Sequence, residues 1–393
     1  MDRNPSTRRE YLLTVGATGV AALAGCSNQN TEGNNNTTEN SPGEGTTTSE
    51  ADNWPQTRYD AANIGIASDE TGPSETVNEE WRQKDGYFSP LVVSDGTVYA
   101  VGIDGNMFAI DTADGTKQWT REIGNKAVST PAVDGDTVYV WSESPIAGGV
   151  TTKIYAFETD GTERWNKTLS LSSSPTVVDG TIYVQGWGHL VALDASDGTE
   201  QWAYETNGGT STPAVVDGTV YVGGHDNNTV HAVDAVDGTE QWTFETAAAV
   251  ESAPAVNDGT VYIGDGDGNV YALDTEDGTE QWSYETGDWV QPPAVASGVV
   301  YIGSGDNNLY ALDAEDGTEQ WSYETGDTVQ PPSVADGIIY IGSEDNNLYA
   351  LDAEDGTEQW SYEMDDAVDS EVAVVDGTLY VCTQASMYAL TEQ

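Results

Sequence analysis

One short phrase recurs along this chain at a nearly constant interval, and its clearest copy is Val270-Tyr-Ala-Leu-Asp-Thr-Glu-Asp-Gly-Thr-Glu-Gln-Trp282. Variants of it place a tryptophan at Trp81, Trp119, Trp165, Trp202, Trp242, Trp282, Trp321 and Trp360, at intervals of 38, 46, 37, 40, 40, 39 and 39 residues. A period near forty, with short strands and turn residues in every copy, is the signature of a propeller blade. A unit of that size cannot bury both of its faces alone, so the copies must stack on one another.

The unit from Ser252 to Glu285 shows how a blade is written. Ser252-Ala-Pro-Ala-Val reads as a first strand, and Asn257-Asp-Gly259 as a hairpin turn, because Asp-Gly tolerates positive φ. Thr260 to Ile263 is a second strand, Asp265 to Asn269 a turn, and Val270 to Asp274 a third strand. Asp277-Gly278 turns the chain into a fourth strand, Gln281 to Glu285. First strands begin near Ser89, Ser129, Ser173, Ser211, Ser252, Gln291, Gln330 and Ser370, which makes eight. The last copy stops at Ala389-Leu390-Thr391 without a tryptophan strand, whereas a spare one, Val77 to Lys84, precedes the first copy. The expectation is an all-β, eight-bladed propeller of four-stranded antiparallel blades. Its N-terminal strand completes the last blade and removes the open edges.

The motif Ala272-x-Asp274-x-x-Asp277-Gly278-Thr279-Glu280-x-Trp282 resembles the tryptophan-docking motif of the pyrroloquinoline-quinone-type propellers, in which the tryptophan packs between adjacent blades. Two positions depart from that pattern: Asp277 stands for the usual Thr and Thr279 for the usual Lys. Trp54-Pro55-Gln56-Thr57-Arg58-Tyr59-Asp60-Ala61-Ala62-Asn63 is similar to the lead-in before such propellers. The resemblance runs from about residue 54 to residue 393, and is nearest to BamB-like lipoprotein propellers of the kind found in halophilic archaea. It implies blade docking by the eight tryptophans.

The segment before the repeats reads as an address and an anchor. Arg8-Arg9 precede an apolar run, Tyr11 to Ala24, too short for a stable membrane span but suited to a signal peptide. It ends in Leu23-Ala24-Gly25-Cys26, which looks like a lipobox, and together these resemble a twin-arginine lipoprotein signal. Residues 1–25 are then a signal peptide, and residues 26–53 a lipidated Cys26 followed by a disordered Asn/Thr/Ser/Gly/Glu tether. Residues 54–75 form the lead-in and 76–393 the propeller. The expected location is the outer face of the cytoplasmic membrane. With Cys26 lipidated, Cys382 has no disulfide partner and reads as a small buried thiol.

Charge bears on environment and partners. With 67 Asp and Glu against 12 Lys and Arg the net charge is −55. Such a chain repels nucleic acid and anionic lipid at long range. It also repels itself unless salt screens it, which molar salt does at a Debye length of about 3 Å. A very salty medium is the expected habitat. No Lys or Arg occurs from Thr168 to Gln393, so the bases collect in one sector of the ring. That sector could orient a partner, or it could record that the later repeats are copies of one acidic unit.

The copies differ from one another on one face of the disc. Turns between first and second strands, and between third and fourth, are nearly uniform Asp-Gly and share a face by strand alternation. The second-to-third-strand turns and the blade-to-blade crossings share the other. There the irregular residues are Lys126, Trp187, His189, His225, Glu251, Trp289, Gln291 and Gln330, with an insertion around Ser142 to Thr152. Irregular side chains on a regular scaffold are where a binding site is sought. No catalytic residues and no metal ligands stand out. His189 and His225 lack a third ligand, and the run Asp265, Asp267, Asn269 is better explained as a hairpin than as a calcium loop.

Two functions compete. One is a lipid-anchored cell-surface binding or scaffold module for a protein or small ligand. Its nearest analogue is the lipoprotein propeller that helps assemble outer-membrane barrels, a role that fold alone does not transfer. The alternative implied by the resemblance is a quinoprotein dehydrogenase holding pyrroloquinoline quinone and calcium in the channel. The short loops and the lack of an adjacent cysteine pair weigh against it.

Overall fold

The computed structural model describes residues 56, 58–67, 70–84, 90–124, 126–127, 129–146 and 149–393. The signal residues Arg8 and Arg9, the lipidation residue Cys26 and the tether lie outside the described residues.

Eight antiparallel sheets follow one another around a ring, an eight-bladed β-propeller, and no helix occurs among the described residues. Blade 5 has the strands Ala255–Asn257, Thr260–Gly264, Asn269–Asp274 and Glu280–Glu285. Its third strand buries Val270, Tyr271, Ala272 and Leu273 together, because both faces of an inner strand press against neighbouring blades. The Asp-Gly turns carry the expected positive φ, as at Asp258 and Gly259. In the turn to the fourth strand, the carboxylate of Asp274 accepts the Glu276 N–H and that of Asp277 accepts the Thr279 N–H. The repeated Asp-Thr-Glu-Asp-Gly-Thr phrase is thus two nested side-chain caps on one turn.

The strand Val77–Gln83 pairs with Met387–Glu392 and completes blade 8, as the spare tryptophan strand requires. Blade 2 departs from the four-strand expectation. The Ser142–Thr152 insertion continues the hairpin as two ten-residue strands, Thr137–Ile146 and Gly149–Glu158. A fifth, short strand, Lys126–Ala127, pairs with its flank opposite Glu143 and Ser142. Lys126 therefore sits in a strand rather than a free crossing, since the lengthened hairpin offers it backbone partners.

Each tryptophan docks on the next blade. The Trp282 indole donates to the Ala314 carbonyl at 3.0 Å, and the Tyr262 hydroxyl donates to the same oxygen at 3.3 Å. The same indole-to-carbonyl bond joins Trp81 to Thr112, Trp119 to Thr159, Trp165 to Ala195, Trp202 to Ala235 and Trp242 to Thr275. The ring of Trp321 lies against Gly356 of the next blade, and the Tyr301 hydroxyl, from the same blade as Trp321, donates to the Ala353 carbonyl of that next blade. Cys382 is fully buried in blade 8, where burial pushes its thiol well up from the ordinary range.

Candidate functional site

The irregular face is a ring of second-to-third-strand turns laced to the adjacent blade crossings. Gly188 O accepts the Thr206 N–H, Gly208 O that of His225, Ala249 O that of Gly266, and Trp289 O that of Gly305. Trp187, His225, Glu251 and Trp289 therefore follow one another along an arc over blades 3 to 6. Two expected residues meet directly in this arc: His225 Nε2 lies 2.9 Å from Glu251 Oε1, while His225 Nδ1 lies 3.0 Å from Asp226 Oδ1. Gln291 Nε2 donates to Gln330 Oε1 at 3.2 Å, linking the entries to blades 6 and 7. Trp187 is 69% exposed between two glycines, and Trp289 is 40% exposed with its indole lying over Gly305. A side chain at residue 305 would strike that ring, so the glycine there goes with the tryptophan.

His189 is exposed at the start of its strand, opposite Glu205, and forms no cluster with His225. Among the described residues no group of three His, Cys, Asp or Glu is placed to hold a metal ion. The acids of the turns have protein partners instead. Asp265 accepts from the N–H groups of Ala248, Asp267 and Asn269, from the Asn269 amide and from the Tyr271 hydroxyl. At Asp306 burial works to raise the pKa, but the Tyr310 hydroxyl, the Gly287 N–H and Asn308 outweigh it and hold the carboxyl below its usual range.

The grooves lie elsewhere. They open on the Asp-Gly side between neighbouring blades, and the one between blades 6 and 7 has a volume of about 770 Å³, with Ile66, Tyr301, Gln320, Asp336 and Asp352 in its walls. The irregular face offers exposed side chains on short second-to-third-strand turns, apart from the lengthened hairpin of blade 2.

The channel holds the feature that sequence reasoning missed. Gln56 and residues 58–67 lie across its Asp-Gly end and bond to the inward edges of the first strands. Gln56 Oε1 accepts the Val177 N–H, and the carbonyls of Ala61, Ala62, Ile64 and Gly65 accept those of Val215, Val256, Val295 and Val334. Five blades are visited in ring order. Arg58 reaches farther in, donating from Nη1 to Pro332 O and from Nη2 to Pro293 O, each at 2.7 Å, with Glu371 Oε2 at 3.7 Å from Nη1. Both charged side chains are almost wholly buried. Burial depresses the Arg58 pKa and lifts that of Glu371, while their mutual attraction opposes both shifts. A signal for this pair was present in the repeats. Glu371 is charged where the other seven copies have Pro90, Thr130, Ser174, Thr212, Ala253, Pro292 and Pro331.

A channel quinone with calcium would need acid and amide oxygens converging on open space. Here the channel carboxylate of Glu371 is engaged by the Arg58 N–H and guanidinium, and the chain's own lead-in occupies that end. At that end of the channel the described residues do not fit that group.

Fold and docking geometry together define a tryptophan-docked, eight-bladed β-propeller. The family model described as outer membrane protein assembly factor BamB matches residues 66–152, 146–213, 188–290 and 286–391, and the chain belongs to that family. An outer membrane protein assembly factor BamB of Burkholderia pseudomallei is 28% identical over 153 residues, 37% of this chain and 38% of the relative. The chain thus spans under two fifths of the length of that curated relative. Among solved structures, BamB from Moraxella catarrhalis superposes with a TM-score of 0.67 at 18% identity, covering 80% of this chain and all of that one. Quinohemoprotein alcohol dehydrogenase from Comamonas testosteroni superposes with a TM-score of 0.71 at 14% identity, covering 88% and 81%. Both superpositions speak to the fold alone.

Proposed function

We propose that this protein is an exported, lipid-anchored propeller that serves as a non-catalytic scaffold for a partner protein at the outer face of the cytoplasmic membrane. The observation that carries the reading is the arc of exposed, non-repeating side chains, Trp187, His225–Glu251 and Trp289, on a scaffold that is otherwise regular. Exposed tryptophans are characteristic anchors of protein interfaces. Membership of the BamB family supports a scaffold role, and a channel end filled by the chain itself weighs against a bound quinone. Arg8-Arg9 serve export and Cys26 carries the lipid in this reading.

The test is photocrosslinking on intact cells from the exposed positions 189 and 288, beside the two tryptophans. One protein captured from both sites, and lost when both tryptophans are changed to alanine, is the expected result. Saturable binding of pyrroloquinoline quinone with calcium, measured by calorimetry in high salt, would sink the scaffold reading in favour of a dehydrogenase. The anchor is tested separately, since Cys26→Ser should move the protein from the membrane fraction to the medium.

A further inference from the structure

In a propeller the first strand of every blade turns one edge toward the channel, where its backbone groups have no strand to pair with. Peptides are commonly recognised by such edges. In this ring the edges of blades 3 to 7 are not bare: Val177, Val215, Val256, Val295 and Val334 all donate inward to residues 56–65. The seat is specific as well as continuous. The Arg58 fork fits two carbonyls from adjacent blades, Pro293 O and Pro332 O, and the carboxylate of Glu371 from a third. Gly65 lies so close that a Cβ there would fall 2.2 Å from Arg58 Nη2, so the lead-in folds back on its own guanidinium. Asn63 donates to Thr212 O and Pro213 O while its Oδ1 is buried with no partner among the described residues.

The segment is held at a conformational cost. Arg58 and Tyr59 have φ of 61° and 76°, left-handed values that such long side chains avoid, while Asn63 at 56° is of a type that tolerates them. A free chain of this sequence would not rest in that shape, so the ring imposes it.

We propose that the Asp-Gly end of the channel is a binding site for a peptide segment that carries a guanidinium group and turns across the first-strand edges, and that Gln56 and residues 58–67 are its resident ligand in cis. Two carbonyls and a buried carboxylate match the planar fork of arginine, whereas an ammonium on a flexible stem cannot meet all three from one position. The proposal is independent of whether the opposite face docks a protein.

The test uses the full chain carrying Arg58→Ala in molar potassium chloride, with hydrogen exchange as the readout. The amides of Val215, Val256, Val295 and Val334 should be protected in the native protein. They should lose at least about tenfold of that protection in the variant, while amides between second and third strands of the same blades keep theirs. Added methylguanidinium should restore the four amides, and methylammonium at the same concentration should not. Unchanged protection in the variant, or equal recovery with both cations, would overturn the proposal. If the inter-strand amides are lost too, the variant has unfolded and Arg58→Lys decides. Selective loss at the four amides then supports the guanidinium site, and no loss overturns it.

Discussion

The indole of Trp360 donates a 3.1 Å hydrogen bond to the carbonyl of Pro73, a residue 287 positions earlier in the chain. Elsewhere the docking carbonyl comes from the turn between third and fourth strands of the next blade. In blade 8 those strands come from opposite ends of the chain, so no such turn exists, and Pro73, just ahead of the closing strand, supplies the oxygen. The Tyr340 hydroxyl uses the same carbonyl. Ring closure therefore reproduces the docking contact as well as the strand pairing.

Trp282→Ala and Trp360→Ala should each cost about 3–5 kcal/mol, the usual range for removing a buried aromatic side chain. Denaturant midpoints would check this. Trp360→Ala should in addition loosen the closing strand, read as faster hydrogen exchange in Val77–Gln83 than in the outer strand of blade 5. Equal exchange in the two strands would mean that the Pro73 contact adds nothing to closure.

Two glycine substitutions separate strain from collision. Gly259 and Gly278 both have positive φ, 78° and 72°. A Cβ at residue 259 meets nothing nearer than 3.8 Å, whereas one at residue 278 falls 2.6 Å from the Trp242 ring. Gly259→Ala should cost about 1–3 kcal/mol from backbone strain alone. Gly278→Ala should cost clearly more, and thermal melts giving equal losses would refute the close approach.

Blade 4 should be sensitive to acid. His231 stands where blades 6 and 7 have Tyr310 and Tyr349, and Asn227 where they have Asp306 and Asp345. The ring is held between the Tyr204 hydroxyl and the Asn227 amide, and burial lowers its pKa to about 4. The folded state then binds fewer protons than the unfolded one between pH 6.5 and 4. Stability should fall across that window as pH drops, by about 3 kcal/mol in total. The carboxyls of Asp306 and Asp345, held low, give up their contribution only below the ordinary carboxylate range. The double substitution His231→Tyr with Asn227→Asp should flatten the slope between pH 6.5 and 4, and an unaltered slope would assign it to other groups.

Low salt should unfold the protein. At a net charge of −55 self-repulsion is long-ranged once the Debye length exceeds about 10 Å, as it does near 50 mM salt. Circular dichroism should lose its β signal on dialysis to that concentration and regain it in molar potassium chloride. A signal that survives dialysis would show that packing alone holds the ring.

Much of the fold was legible because a blade is local. The Asp277-Gly278 turn, the continuous apolar run around Tyr271 and the tryptophan spacing each act within forty residues, and their repetition makes the blade count unambiguous. The spare strand at Val77 also announced closure, since the last repeat visibly lacked one. The site was less legible. His225 and Glu251 were picked as irregular residues, yet their pairing depends on how a turn meets a crossing 26 residues away. The fifth strand at Lys126 could not be read, because it exists only where the lengthened hairpin of blade 2 offers an edge.

The chain by itself determined its secondary structure, its blade number and the face on which the copies differ, because periodicity and turn chemistry are short-range properties that every copy states again. Only the tertiary structure decided what fills the channel and what receives Trp360. Arg58 meets Glu371 across 313 residues, and Pro73 meets Trp360 across 287. Glu371 departs from the other copies, but nothing local names Arg58 or Pro73 as a partner, since each contact arises only when the closed ring brings early residues back beside the last two blades.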